Sequence, residues 1–337
     1  MNEKEALQNL DSVLKEWTST PMGRRAFLAS LGILLASCAQ KQHRQREGDN
    51  SGQTTSMTVA DEKRMTQEVL PQMKKDYPPL QNSQMQGYIS NLGRKVVAAS
   101  NLEGNPYNYN FTVVDVDYVN AFALPAGTVF VTAPLIAMAD TEAELAGVIG
   151  HEVGHIQARH TAERMEKAKK EQNKSWMYAA GGGLLGGIVG FGLGQLVCKK
   201  GDNECLQKAA TYGAAAGAGG GLLIQKYAFM ANSREDEMEA DRIGFRTAVK
   251  AGYDKDKVGL FYEKLLKMEQ QSKGNKDPLM SALSDALSTH PPSKERVTQM
   301  QQMASEQART IKMIESTKDF ENIQKLVKKH LETKKRS

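Results

Sequence analysis

Residues His151-Glu152-Val153-Gly154-His155 form an H-E-x-x-H run inside an apolar stretch, and this run constrains the fold more than any other feature of the chain. Residues four apart share one face of a helix, so His151 and His155 can hold a single ion only if the stretch is helical. Thr141-Glu142-Ala143-Glu144 reads as a capping box that starts such a helix, with the Thr141 hydroxyl and Glu144 carboxylate satisfying exposed N–H groups. Leu145, Val148, Ile149, Val153 and Ile156 follow at helical spacing and predict one buried side. Glu152 then stands beside the metal face, where a zinc peptidase keeps its general base. A structural histidine pair is the alternative reading of the run alone.

Catalytic zinc takes three protein donors and leaves one position open, so two histidines require a third ligand. The acidic segment from Ser233 to Gly244 offers it, because Glu237 and Asp241 stand four apart and share a face if the segment is helical. Glu237 completes the shell in this reading, and Asp241 accepts the free N–H of a ligating imidazole. A solvated acidic helix face is the alternative.

Four blocks occur in order: Asn120-Ala121-Phe122-Ala123-Leu124-Pro125, His151 to His155, Ser233-Arg234 with Glu237 and Ala240-Asp241, and Thr289-His290-Pro291-Pro292. Together they resemble the CAAX prenyl endopeptidase and HtpX-like zinc metallopeptidases, gluzincins of metallopeptidase family 48 that include the beta-barrel-assembly-enhancing type. The resemblance implies an α+β, mostly helical, zincin-like domain with a small β-sheet, one Zn2+ per chain and endopeptidase activity. It also implies that Glu237, rather than Glu235 or Glu239, is the third ligand. By analogy with the His-Pro block, His290 and Arg296 are candidates for stabilising the oxyanion. His290 has two further readings: a latch in the open zinc position, and a plain turn residue before two prolines. Zinc acidifies water and polarises the scissile carbonyl, while Glu152 takes the proton and returns it to the leaving amine.

Ahead of the active helix, Tyr109 to Val116 and Thr128 to Val131 read as strands, rich in β-branched and aromatic residues. Asn120 to Pro125 lies between them, either as a sheet edge that pairs with an extended peptide or as ordinary core.

The amino terminus carries Arg24-Arg25 before a short apolar run, then Leu35-Ala36-Ser37-Cys38, which resembles a bacterial lipobox. Residues 1–37 therefore read as an export signal, Cys38 as a lipid attachment point and residues 38–60 as a disordered polar tether. The peptidase domain is expected over residues 61–305, with a basic helical tail over 306–337 that reads most simply as a solvated helix, with anionic lipid contact as the alternative. These features place the protein in the bacterial cell envelope, on the periplasmic face of a membrane, with the outer membrane favoured. Cys198 and Cys205 remain as a possible disulfide in an oxidising compartment.

Within residues 175–225, Gly182, Gly186, Gly190 and Gly194 recur on one arm and Gly213, Gly217 and Gly221 on the other. Such spacing lets helices approach closely, either in a packed or surface-docked hairpin or in a membrane-inserted one. The net charge of +5 is modest, so a nucleic-acid role gains little support. No tetratricopeptide period follows the peptidase region, unlike family members that join a protease to repeats. The expected task is zinc-dependent cleavage of misfolded or unassembled envelope proteins, with polypeptide substrates, a membrane anchor and possible contact with envelope assembly machinery. The alternative is an assembly or chaperone-like binding factor whose peptidase site is latent.

Overall fold

The computed structural model describes residues 47–48, 50, 52–53, 55–100, 106–167, 170, 232–271, 283, 286–287, 289–308 and 312–336. The export signal, Cys38, the glycine-rich segment 175–225 and its Cys198 and Cys205 lie outside the described residues.

Capping chemistry sets where the helices begin. Thr58 Oγ1 accepts the Asp61 N–H at 3.1 Å while Asp61 Oδ2 accepts the Thr58 N–H at 3.0 Å, a reciprocal box that starts α1 (Val59–Asp76). Asn82 caps α2 (Ser83–Ala99), accepting from the backbone of Gln84 and Met85. Strand β1 (Asn110–Val114) follows, then β2 (Ala121–Leu124) and β3 (Thr128–Thr132). Between β2 and β3, Ala126 and Gly127 take positive φ of 67° and 105°. A side chain at Gly127 would run into the Asn108 carbonyl oxygen, 2.6 Å from its Cβ, so only glycine fits the turn.

The sheet order is β1-β3-β2, with β1 parallel and β2 antiparallel to the central β3. The Asn120–Pro125 block thus supplies an edge strand rather than a connection. Parallel pairing of β1 with β3 places Phe111 opposite Val129 and Val113 opposite Val131, all buried. Thr132 ends β3 and caps α3 (Ala133–Met138). Then come α4 (Glu142–Gln157), α5 (Arg234–Lys250), α6 (Lys255–Val258), α7 (Leu260–Gln271), α8 (Lys294–Glu306) and α9 (Lys318–Arg336). The architecture is the α+β, mostly helical one with a small sheet that the sequence leads one to expect.

Three local readings change. Helix α4 is buried on every side from Glu142 to Ile156, not along one face, because α5, α6 and β2 enclose the side left for solvent. Its capping box is only half formed. Thr141 Oγ1 accepts the Glu144 N–H at 3.2 Å, but the buried Glu144 carboxylate turns from the Thr141 N–H to the Asp140 N–H and to Lys264 Nζ, a stronger, charged donor. The basic tail is not a solvated helix. Phe320, Ile323 and Val327 of α9 are buried, since residues three and four apart make one apolar stripe that packs on α3 and α2.

Part of the segment expected as a tether forms a strap. Asn50 Nδ2 donates to the Gln157 carbonyl at 3.1 Å, Gln53 Nε2 to that of Ala158 at 2.8 Å and Thr55 Oγ1 to that of Ala162 at 3.3 Å. The first two supply donors to carbonyls left open where α4 ends and the chain turns.

Candidate metal centre

Helices α4 and α5, far apart in sequence, meet where neither carries a bulky side chain. Gly150 lies against the Gly244 carbonyl and Gly154 against that of Ala240, and a Cβ on either glycine would fall within 3.0 Å of those oxygens. This approach lets short ligand side chains on both helices reach one point. Ser233 and Asp236 form a reciprocal capping box at the start of α5, so its first turn, carrying Glu237, is fixed next to the histidines.

His151 Nε2 and His155 Nε2 stand 2.9 Å apart. Glu237 Oε2 lies 3.5 Å from the first and Oε1 3.3 Å from the second. Donors about 2.0–2.1 Å from a tetrahedral zinc lie roughly 3.3 Å from one another, so this triangle has the size of one face of such a shell. Two imidazole nitrogens and a carboxylate are also a donor set that zinc accepts. His290 enters the same cluster: its Nδ1 is 3.3 Å from His151 Nε2 and 3.1 Å from Glu237 Oε1, and its Nε2 is 3.5 Å from Glu152 Oε1. Glu152 is 2% exposed, so its carboxylate faces the cluster and not bulk water.

Asp241 Oδ1 stands 2.8 Å from His151 Nδ1, the ring nitrogen turned away from the cluster. Arg296 grips both acids of α5. Its Nε and Nη2 donate to the two Asp241 oxygens at 2.7 Å each, and its Nη1 pairs with Glu237 Oε2 at 2.6 Å while also donating to the Pro291 carbonyl. The guanidinium lies over the Tyr262 ring, 4.7 Å from its centre. Arg296 therefore spends its donors on the acids and backbone around the cluster.

Charge follows this geometry. Burial pushes the Glu237 carboxyl up, but Arg296, His290 and His151 outweigh it and hold the group well below the usual carboxylate range. Asp241 is likewise held low against its burial, chiefly by Arg296. Burial, together with the neighbouring His151, pushes His155 well below the usual imidazole value. An ionised carboxylate and a neutral imidazole are the forms that bind metal. Burial raises Glu152, with His290 and His151 opposing it. His290 is raised, because Glu237 and Glu152 overcome the effect of its burial.

Two polar residues at the centre, Asn232 and His160, have no counterpart in the sequence reading, and a third, Glu239, enters it only as a position set aside as a ligand. Asn232 Nδ2 donates to Glu237 Oε1 at 2.6 Å and sits 3.4 Å from His155 Nε2, bridging ligands from both helices. His160 Nδ1 meets His155 Nδ1 at 2.7 Å, and Glu239 Oε2 lies 3.2 Å from His160 Nε2. The sequence signals for them are slight: a fifth residue past His155, and the acidic residue that the family pattern passes over.

No helix among the described residues is long and apolar enough to cross a membrane. The pattern described as Peptidase family M48 fits residues 83–304, which include every residue of the cluster. The chain is 26% identical over 273 residues to the "Beta-barrel assembly-enhancing protease" of Escherichia coli (strain K12), covering 81% of this chain and 49% of that protein. The Yersinia pestis protein of the same name is 29% identical over 259 residues, 77% of this chain and 46% of that one. The "Mitochondrial metalloendopeptidase OMA1" of Arabidopsis thaliana is 35% identical over 199 residues, 59% of this chain and 32% of that protein. The chain thus spans about half the length, or less, of these curated relatives. With a histidine-carboxylate cluster built across two helices and a family match that extends over most of the sequence, the chain belongs to peptidase family M48.

Proposed function

We propose that this protein is a zinc-dependent endopeptidase of the bacterial envelope, cutting misfolded or unassembled polypeptides. The observation that carries the reading is the convergence of His151 Nε2, His155 Nε2 and Glu237 within 2.9–3.5 Å of one another, with Glu152 beside them. His151, His155 and Glu237 would hold the ion. A bound zinc supplies Lewis acidity for the scissile carbonyl and makes water acidic enough to attack near neutral pH.

The chain's own residues do the rest. Glu152 takes a proton from the attacking water and delivers it to the leaving amine, so the peptide bond breaks with one water consumed. Asp241 Oδ1, 2.8 Å from His151 Nδ1, would take its proton and keep the His151 Nε2 lone pair on the cluster side. Arg296 orients Asp241 and Glu237. Strand β2 is an edge strand, and an extended substrate can pair with such an edge through main-chain hydrogen bonds that ignore side-chain identity. The names of the enterobacterial relatives favour envelope proteins as substrates, and the Leu35–Cys38 lipobox favours a lipid anchor at Cys38. The peptidase domain spans residues 61–305 in this reading.

Metal analysis paired with cleavage of an unfolded protein such as casein tests the proposal. The wild type is expected to hold one zinc and cleave, Glu152→Gln to hold zinc without cleaving, and Glu237→Ala to lose zinc. A purified chain that is metal-free and inert after zinc is supplied overturns it.

A second reading has its own observation. His290 Nδ1 stands 3.3 Å from His151 Nε2 and 3.1 Å from Glu237 Oε1, where a fourth donor would close the shell. In that arrangement the site is latent and the protein acts as a binding or assembly factor until His290 moves. Full rescue of an envelope defect by Glu152→Gln supports this reading; failure to rescue supports proteolysis.

A further inference from the structure

His151 has Asp241 behind it, but His155 backs onto another histidine, and that contact begins a chain of hydrogen bonds leading out of the metal centre. His155 Nδ1 and His160 Nδ1 are 2.7 Å apart, so one of them carries the proton and the other a lone pair. His160 Nε2 lies 3.2 Å from Glu239 Oε2. The other Glu239 oxygen, Oε1, accepts the backbone N–H groups of Glu47 at 2.7 Å and Gly48 at 3.0 Å. Arg242 and Arg246 hold the Glu47 carboxylate and so seat the strap that brings those two N–H groups in. His160, Glu239 and Asp236 are all buried.

Only one direction of this chain is compatible with metal at His155. Glu239 can only accept, so His160 Nε2 must carry a proton. A neutral His160 then has a lone pair on Nδ1, which accepts from His155 Nδ1–H. His155 is left with its Nε2 lone pair facing His151 and Glu237. The polarity set at one carboxylate is thereby transmitted through two rings to the ligand atom.

We infer that His160 and Glu239 are positioning residues for the metal centre: they hold His155 in the tautomer that presents Nε2 to the ion, and the strap at Glu47–Gly48 closes the far end of the relay. The inference rests on the metallopeptidase reading above and deepens it. A cation bound instead among His160, Asp236 and Glu239 would need the lone pair of His160 Nε2. That places the His160 proton on Nδ1, turns His155 Nδ1 into an acceptor and removes a neutral His155 from the principal site. The two occupancies are therefore antagonistic, and the relay accounts for the cluster without a second ion.

Glu239→Gln tests this on the full chain, because the change keeps shape and reverses direction. The Gln oxygen can still accept from Glu47 and Gly48, but its NH2 now donates to His160 Nε2. His160 then donates to His155, and His155 carries its proton on Nε2, 3.3 Å from Glu237 Oε1. Every group of the relay then keeps a partner without metal, so the apo variant is expected to melt close to wild type. Zinc affinity, measured by competition with a chromophoric chelator, is expected to fall on the order of 10–100-fold, and the visible bands of the Co2+-substituted protein to shift. His160→Gln, whose amide can accept from His155 and donate to Glu239, is expected to retain more affinity than His160→Ala. Unchanged zinc affinity in Glu239→Gln, or equal affinity in the two His160 variants, overturns the relay while leaving the metallopeptidase reading intact. Two ions per wild-type chain, the second lost in Glu239→Gln, also overturns the relay. A wild type that binds no metal overturns both.

Discussion

A methyl group added to Gly244 would lie 2.5 Å from the backbone nitrogen of His151, so the two ligand-bearing helices touch at the turn where coordination begins. Gly244→Ala should gain helix propensity, up to about 1 kcal/mol. The clash is with backbone, which cannot rotate away, and overpacking of this kind costs about 1–3 kcal/mol. Net destabilisation in denaturant unfolding is expected, with weaker zinc binding as α5 is pushed off α4. A variant as stable as wild type with unchanged metal affinity would mean that the crossing tolerates separation.

Arg296 is buried between Asp241, Glu237 and the Tyr262 ring. Arg296→Met leaves two carboxylates without their cation, and breaking a buried pair in this way costs about 3–5 kcal/mol. The expected loss is largest in the metal-free protein, because a bound cation beside Glu237 replaces part of the missing charge. Thermal unfolding with and without zinc checks this; equal destabilisation in both states would show that the arginine does not act through Glu237.

Removing His290 tests whether it blocks or assists. His290→Ala takes a potential fourth donor off the cluster, so basal cleavage of an unfolded protein is expected to rise while His151, His155 and Glu237 keep the ion. A drop in kcat with full zinc content would instead assign His290 to the reacting oxygen.

Asp115, after the end of β1, ties the sheet to α9 through His330 Nε2 and Lys334 Nζ, each at 3.1 Å. Burial pushes its carboxyl up, yet His330 and Lys334 together hold it below the ordinary value. A carboxyl depressed on folding stabilises the native state above its unfolded pKa of about 3.9, and that contribution disappears as pH falls through the lower folded value. The pair is partly solvated, so the effect is on the order of 0.5 kcal/mol. Asp115→Asn is expected to lower stability slightly at neutral pH and to match wild type in strong acid, as read from denaturant midpoints across that range.

The parts of the centre legible in the sequence are those that helical periodicity carries. His151 and His155 share a face because they are four apart, and Glu237 and Asp241 repeat that spacing on the partner helix. His160 escapes the same logic. It comes after Arg159, whose φ of 54° breaks the helical run, so its return to His155 depends on a turn and not on a period. Asn232 lies one residue before the cap of α5 and reaches the cluster only because α5 is docked there. The glycines at 150, 154 and 244 were a readable small-residue face, but the side they would pack against is set by tertiary structure. Glu144 shows a local signal overridden: a distant lysine draws its carboxylate away from the cap that the sequence pattern describes. The tail was misjudged for the opposite reason, since its many lysines hide an apolar stripe of three residues.

The strap described above also fixes a geometric leash. With Cys38 acylated as proposed, about nine residues separate the lipid from Glu47, which is fastened to Arg242 and Arg246 on α5, and even fully extended they span only roughly 30 Å. The far end of that leash is tied to the helix that carries Glu237 and Asp241.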